Sequence, residues 1–182
     1  MPGLGDPLLR AQYNQRMDTR LALIYRRRSI RRFERGELDH ETIIELLKAA
    51  MAAPSAKNER PWEFIVVTER QALEDMRQRH PSGYLAAECA ALFVLFGPAE
   101  RIMLDQDLAA ATENLLLAAA GLGLGACWMG MRAERQPPVK QYLGIPDDMR
   151  VVSMVAVGHP AEEKQPRTSY DETKVHWQKY GG

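Results

Sequence analysis

The sequence predicts a three-layer α-β-α arrangement: a central sheet with helices on both faces. Stretches with apolar residues at helical spacing alternate with short runs that are apolar at nearly every position. A strand apolar on both sides needs cover on both sides, and helices supply it. Composition agrees, since 182 residues with 46% hydrophobic and 26% charged content suit one globular domain with a sizeable core.

Taken in order, residues 7–27 are amphipathic and rich in Leu, Arg and Gln, which predicts a helix. Over 39–53 the signal sharpens. Asp39 supplies an N-cap after apolar Leu38, and Ile43, Ile44, Leu46, Leu47, Ala50 and Met51 form one apolar face. Pro54 ends that helix, because proline disfavours helical geometry in the residue before it. Trp62 to Thr68 is short, aromatic and β-branched, hence a strand, and Glu69 to His80 is polar and helical. Cys89 to Phe96 is nearly all apolar and reads as a strand buried on both faces. Asp105 to Ala120 is a long Ala/Leu helix that Gly121 stops. Its alanines permit close helix–helix approach, in the core or across a dimer. Gly125 to Met129 is a short strand, Glu134 to Leu143 a helix with Pro137 and Pro138 near its first turn, and Arg150 to Val157 another buried strand. After Pro160 the chain turns polar but keeps Tyr170, Val175, Trp177 and Tyr180, so this tail is expected to pack against something. No repeat or linker marks a second domain: the expectation is one domain over 1–182, with a core of about 20–160 and a tail over 161–182.

Several classes of function fall away. Formal net charge is zero, so no global field recruits nucleic acid or anionic lipid. No apolar run is long enough to span a bilayer, and the first residues lack a signal-peptide pattern. Cys89 and Cys127 sit in apolar surroundings and read as buried hydrophobes in a reducing compartment, so a cytoplasmic protein is expected. His40, His80, His159 and His176 are scattered without metal-ligand spacing, and no nucleophile elbow or phosphate-binding P-loop is present.

Four segments invite chemistry. Arg26, Arg27, Arg28, Arg31, Arg32 and Arg35 crowd one stretch around Ser29. That is a solvated helix end, a nucleic-acid patch or a phosphate site, where arginine forks and a hydroxyl match the oxygens. Pro54 to Trp62, read alone, is a polar loop in which Ser55 and Asn58 bond their own backbone. The glycine-rich run 121–125 follows a helix and precedes a strand, the reverse of a dinucleotide fingerprint. Finally, Gly158-His159-Pro160 leads into Lys164 and Arg167.

The order and spacing of these segments resemble the nitroreductase family over roughly residues 20–176. The resemblance implies an α+β homodimer with a mixed central sheet and FMN at the subunit interface. It implies that Arg27 binds the FMN phosphate, that Arg28 and Ser29 line phosphate and flavin, and that Arg31 lies near the pyrimidine end, where a cation favours the reduced flavin. Pro54, Ser55, Ala56 and Asn58 match residues that reach FMN held mainly by the other subunit; Arg60 stands where glutamine is usual. The backbone of Met129, Gly130 and Met131 matches the segment against the flavin, with N–H groups near N5. Arg167 matches a tail cation on the phosphate, Ser169 stands where a second is common, and Lys164 is set aside. Trp62 is expected to pack. The implied activity is ping-pong transfer from NADH or NADPH through FMN to a small electron-poor acceptor (a nitroaromatic, quinone or activated alkene), with no catalytic side chain and no metal. The alternatives are a non-enzymatic FMN-binding or redox-sensing dimer, and a specialised dehalogenase or dehydrogenase of the same fold. A cofactor-free interaction protein would need four coincident motifs. The short stretch between Thr68 and Cys89 leaves room for one short helix and predicts an open, permissive pocket.

Overall fold

The computed structural model describes residues 21–181, in two compact units: Arg27–Lys164, and a terminal unit whose described residues are 21–26 and 165–181. The helix predicted over 7–27 lies mostly outside the described residues; its described end is α1, Ala22–Arg26.

The larger unit is built on four strands: β1 (Glu63–Val67), β2 (Ala91–Pro98), β3 (Gly125–Gly130) and β4 (Met149–Gly158). Their order is β1-β2-β4-β3 and every neighbouring pair is antiparallel. The parallel component of the sheet is an isolated bridge between Ser29 and Ala126, outside the named strands.

In this unit five helices accompany the strands: α2 (His40–Met51), α3 (Arg70–Asp75), α4 (Tyr84–Glu88), α5 (Leu104–Gly121) and α6 (Gln136–Leu143). The pleat sends alternate residues of β2 to opposite layers. Ala91, Phe93 and Leu95 pack with Leu46 and Ala50 of α2 and Leu108, Ala111 and Leu115 of α5. Leu92, Val94 and Phe96 face the other way, onto Leu73 of α3, Leu85 of α4 and Val139 of α6. Between Leu95 and Phe96 the register with β4 slips, so Leu95 pairs with Ser153 and Phe96 with Val151. The bulge skips Val152 and keeps apolar residues on both faces.

Local chemistry sets the helix ends. The Asp39 carboxylate caps α2 by accepting from the Thr42 N–H at 2.6 Å, and this lowers its pKa. α5 continues through Gly121; the left-handed residue that ends it is Gly123, at φ 74°, two residues later than predicted. Gly144, at φ 67°, terminates α6 in the same way. The predicted helix over Glu69–His80 is shorter, α3 followed by a 3-10 turn at Met76–Gln78, and a second helix, α4, precedes β2. A turn at His80–Gly83 separates the two. Only glycine fits at 83, since a Cβ there would lie 2.5 Å from the carbonyl oxygens of Met76 and Arg77. Between α5 and β4, the buried Thr112 Oγ1 lies 2.7 Å from both Leu108 O and Ser153 Oγ, so neither hydroxyl is orphaned.

In the terminal unit, the Arg167 N–H donates to Tyr25 O of α1 at 3.1 Å. Tyr170, Trp177 and Tyr180 are exposed, so within this chain the tail's aromatics are not packed away. Among the described residues no helix is long and apolar enough to cross a membrane.

Candidate functional site

The basic segment lies along the outer edge of β3. Ser29 bridges Ala126, and the Ile30 N–H donates to Ala126 O at 2.9 Å. The approach is close: a Cβ on Gly125 would come 2.7 Å from Ile30 Cγ2, so glycine is what lets this segment dock. Further along, the Ala161 N–H donates to Arg32 O and the Glu34 N–H to His159 O, which ties residues 29–34 to the chain leaving β4.

Carboxylates already answer the cations here. Arg27 Nε lies 3.3 Å from Glu113 Oε1 on α5, with side chains 28% and 46% exposed. Lys164 Nζ donates to Ser29 O at 2.6 Å and lies 3.0 Å from Glu162 Oε1, which also accepts the Arg31 N–H at 2.5 Å. That backbone bond, with help from Lys164, lowers the Glu162 pKa. Such pairs are partly solvated and worth little, so either cation can change partner at low cost. Arg28 and Ser29 are half-buried, whereas Arg31 is exposed. Inward of them, burial raises the pKa of the Cys127 thiol while Arg31 and Lys164 lower it and Glu162 raises it.

The loop after α2 is organised by two residues whose role sequence alone did not give. Asp107, buried in the first turns of α5, accepts the Ala56 N–H on Oδ1 at 2.8 Å. Arg60 donates its N–H to Ser55 Oγ at 2.9 Å and its Nε to Asn58 Oδ1 at 3.0 Å. Lys57, Asn58 and Arg60 all have positive φ, a conformation that Asn tolerates and that Lys and Arg rarely adopt. Both side chains are engaged here as acceptors. The Ser55 O–H and the Asn58 amide N–H groups therefore remain donors for a ligand.

At the far end of β3, Met129 is buried, Met131 half-buried and Gly130 exposed. A Cβ on Gly130 would meet nothing within 4 Å, so the space beside it is open. From the α3–α4 turn the buried His80 reaches this point: its Nε2 lies 3.2 Å from Gly130 O, and its Nδ1 accepts the Ser82 N–H at 3.1 Å. Burial lowers the His80 pKa, opposed by the bond to Gly130 and assisted by the charge of Arg135.

Of the predicted residues, β3 brings together Arg27, Arg28, Ser29 and Arg31 near its start and Met129, Gly130 and Met131 at its end. Ala126 and Gly130 are four residues apart, about 13 Å at strand rise. Pro54, Ser55, Ala56 and Asn58 sit on the α2–β1 loop, whose hydrogen bonds go to Asp107 and to Arg60. Arg167 is exposed in the terminal unit. Trp62 is buried in the α2–α5 core, as packing. Two surface cavities, of about 590 and 440 Å³, are lined by residues such as Gln136, Lys140 and Arg150, and Phe33, Arg35 and Arg77. Neither includes a predicted site residue.

Known proteins share this fold. The Nitroreductase family model matches residues 24–94 and 79–159. A candidate NADH dehydrogenase/NAD(P)H nitroreductase from Archaeoglobus fulgidus is 38% identical over 174 residues, covering 90% of this chain and all of that protein. Among solved structures, a candidate NADH dehydrogenase/NAD(P)H nitroreductase from Bacteroides thetaiotaomicron superposes with a TM-score of 0.85 at 33% identity, covering 90% of this chain and 99% of the other. The FMN-dependent nitroreductase of Clostridium difficile R20291 gives 0.83 at 29%, covering 88% and 99%.

Proposed function

The chain belongs to the nitroreductase family, and we propose that it is an FMN-dependent oxidoreductase that passes reducing equivalents from NADH or NADPH, by a ping-pong mechanism, to a small electron-poor acceptor such as a nitroaromatic, quinone or activated alkene. One observation carries this reading. A single strand has a cluster of cations and a hydroxyl docked at its start and an open glycine at its end, the two ends that a long phosphorylated cofactor needs.

FMN fits the residues present. Arg27, with Arg28 and Ser29, would hold the phosphate; Lys164, 2.6 Å from Ser29 O, stands beside them. Arg31 supplies positive charge toward the pyrimidine end. The open space over Gly130 admits a flat ring against the Met129–Met131 backbone. When bound, FMN supplies the two-electron chemistry, so no acid–base side chain is required. The chain's own work is to fix charge, to orient backbone N–H groups and to leave one face accessible.

A homodimer completes the site in this reading. The Pro54–Asn58 loop of one copy faces the basic segment of the other and offers the Ser55 and Asn58 donors. The exposed Met51, Ile102, Met103 and Leu122 support this, of which Ile102 is 87% exposed. The two free buried thiols suit a reducing compartment, the cytoplasm.

Anaerobic addition of NADH or NADPH tests the activity. It should bleach the flavin absorbance, and a quinone or nitroaromatic should restore it, with parallel double-reciprocal lines in steady state. A flavin that both nucleotides leave coloured would make the protein a non-enzymatic FMN-binding dimer.

A further inference from the structure

We infer that His80 is a positioning residue that fixes the Gly130–Met131 peptide at the end of β3. The inference rests on the proposed use of the Met129–Met131 backbone against the flavin. The His80 Nδ1 accepts the Ser82 N–H, so in the neutral ring the proton sits on Nε2, which donates to Gly130 O. The peptide from Gly130 to Met131 is planar and trans, so its N–H points opposite to its C=O. A bond to the carbonyl therefore also fixes the direction of the Met131 N–H. The open space beside Gly130 lies at the same peptide.

The histidine itself is held. The Gly83 N–H donates to His80 O at 2.8 Å, Pro81 stiffens the turn, and Gly83 packs too tightly on Met76 and Arg77 to bear a side chain. His80 is 4% exposed, so it is out of reach of an acceptor and acts only through the backbone.

Two variants separate positioning from bulk. His80→Gln can still donate a hydrogen bond to Gly130 O; His80→Phe fills the space and cannot. Both are expected to lower Tm. In the flavin-free protein, native hydrogen exchange of a peptide covering residues 128–132 should quicken about tenfold in His80→Phe and little in His80→Gln, as loss of one hydrogen bond predicts, with β2 peptides as the internal reference. In the FMN-loaded protein the Phe variant should shift the visible flavin band and the flavin potential, and the Gln variant should restore both. Exchange, band and potential all unchanged in His80→Phe would overturn the inference and leave His80 a core residue. If the wild type takes up no FMN, the functional reading fails, and the exchange data still decide whether His80 holds this peptide.

Discussion

Replacing Asp107 by alanine removes the acceptor that fixes the loop after α2. The bond from the Ala56 N–H is 2.8 Å long, and Asp107 is only 7% exposed, so water replaces it poorly. Hydrogen bonds to charged groups contribute about 1.5–3 kcal/mol. Two smaller effects oppose one another. Alanine gains about 0.5 kcal/mol of helix propensity over aspartate, while loss of a carboxylate near the helix N-terminus costs about 0.3–1 kcal/mol. The hydrogen bond decides the sign. With a urea slope of about 2 kcal/mol per molar, the unfolding midpoint should fall by about 1 M. Asp107→Asn keeps an acceptor and should lose less than half as much. Equilibrium urea unfolding of the three proteins measures this, and FMN titration should show weaker binding in the alanine variant. A midpoint for Asp107→Ala equal to that of the wild type would refute the reasoning, because the loop would then be held by something else.

Other perturbations follow from the same geometry. Arg27→Ala should raise the FMN dissociation constant at least about tenfold, the worth of one charge-assisted bond, as read by fluorescence titration. Glu113→Gln removes the carboxylate competing for Arg27 and should tighten FMN binding by about two- to fivefold at low salt, an effect that added salt erases. Burial lifts the Cys89 pKa to about 12 and raises that of Cys127, so neither thiol should react with a disulfide reagent at pH 8 until the protein unfolds, when two should titrate. The folded pKa of His80 lies below its ordinary 6.5, so the unfolded chain binds the extra proton first. Its contribution is whole above pH 6.5 and is lost as pH falls toward the folded value, and His80→Gln should flatten that part of the pH–stability curve.

Much of the scaffold was legible because both of its faces are buried. Cys89 to Phe96 could be read as a strand since no position in it is polar, and β2 occupies Ala91–Pro98. The α2 start followed from Asp39, whose cap is a local event within three residues. α4 escaped notice because five residues carry too little periodicity, and the helix stop shifted because Gly121 and Gly123 are equally good on paper while only one takes positive φ. The site divides along the same line. Arg27, Ser29 and Gly130 stand out through motif and order. Asp107 and His80 do not: their bonds join residues 51 and 50 positions apart, and a lone Asp in a helix or a lone His in a turn gives no sequence signal. Arg60 looked like a broken contact because it replaces glutamine; in the fold it holds both Ser55 and Asn58.

The most direct test of the account is the visible absorbance of the freshly purified protein, with the chromophore released by heat and identified. The account predicts a yellow protein carrying one FMN per chain. A colourless protein that also fails to take up added FMN would contradict it.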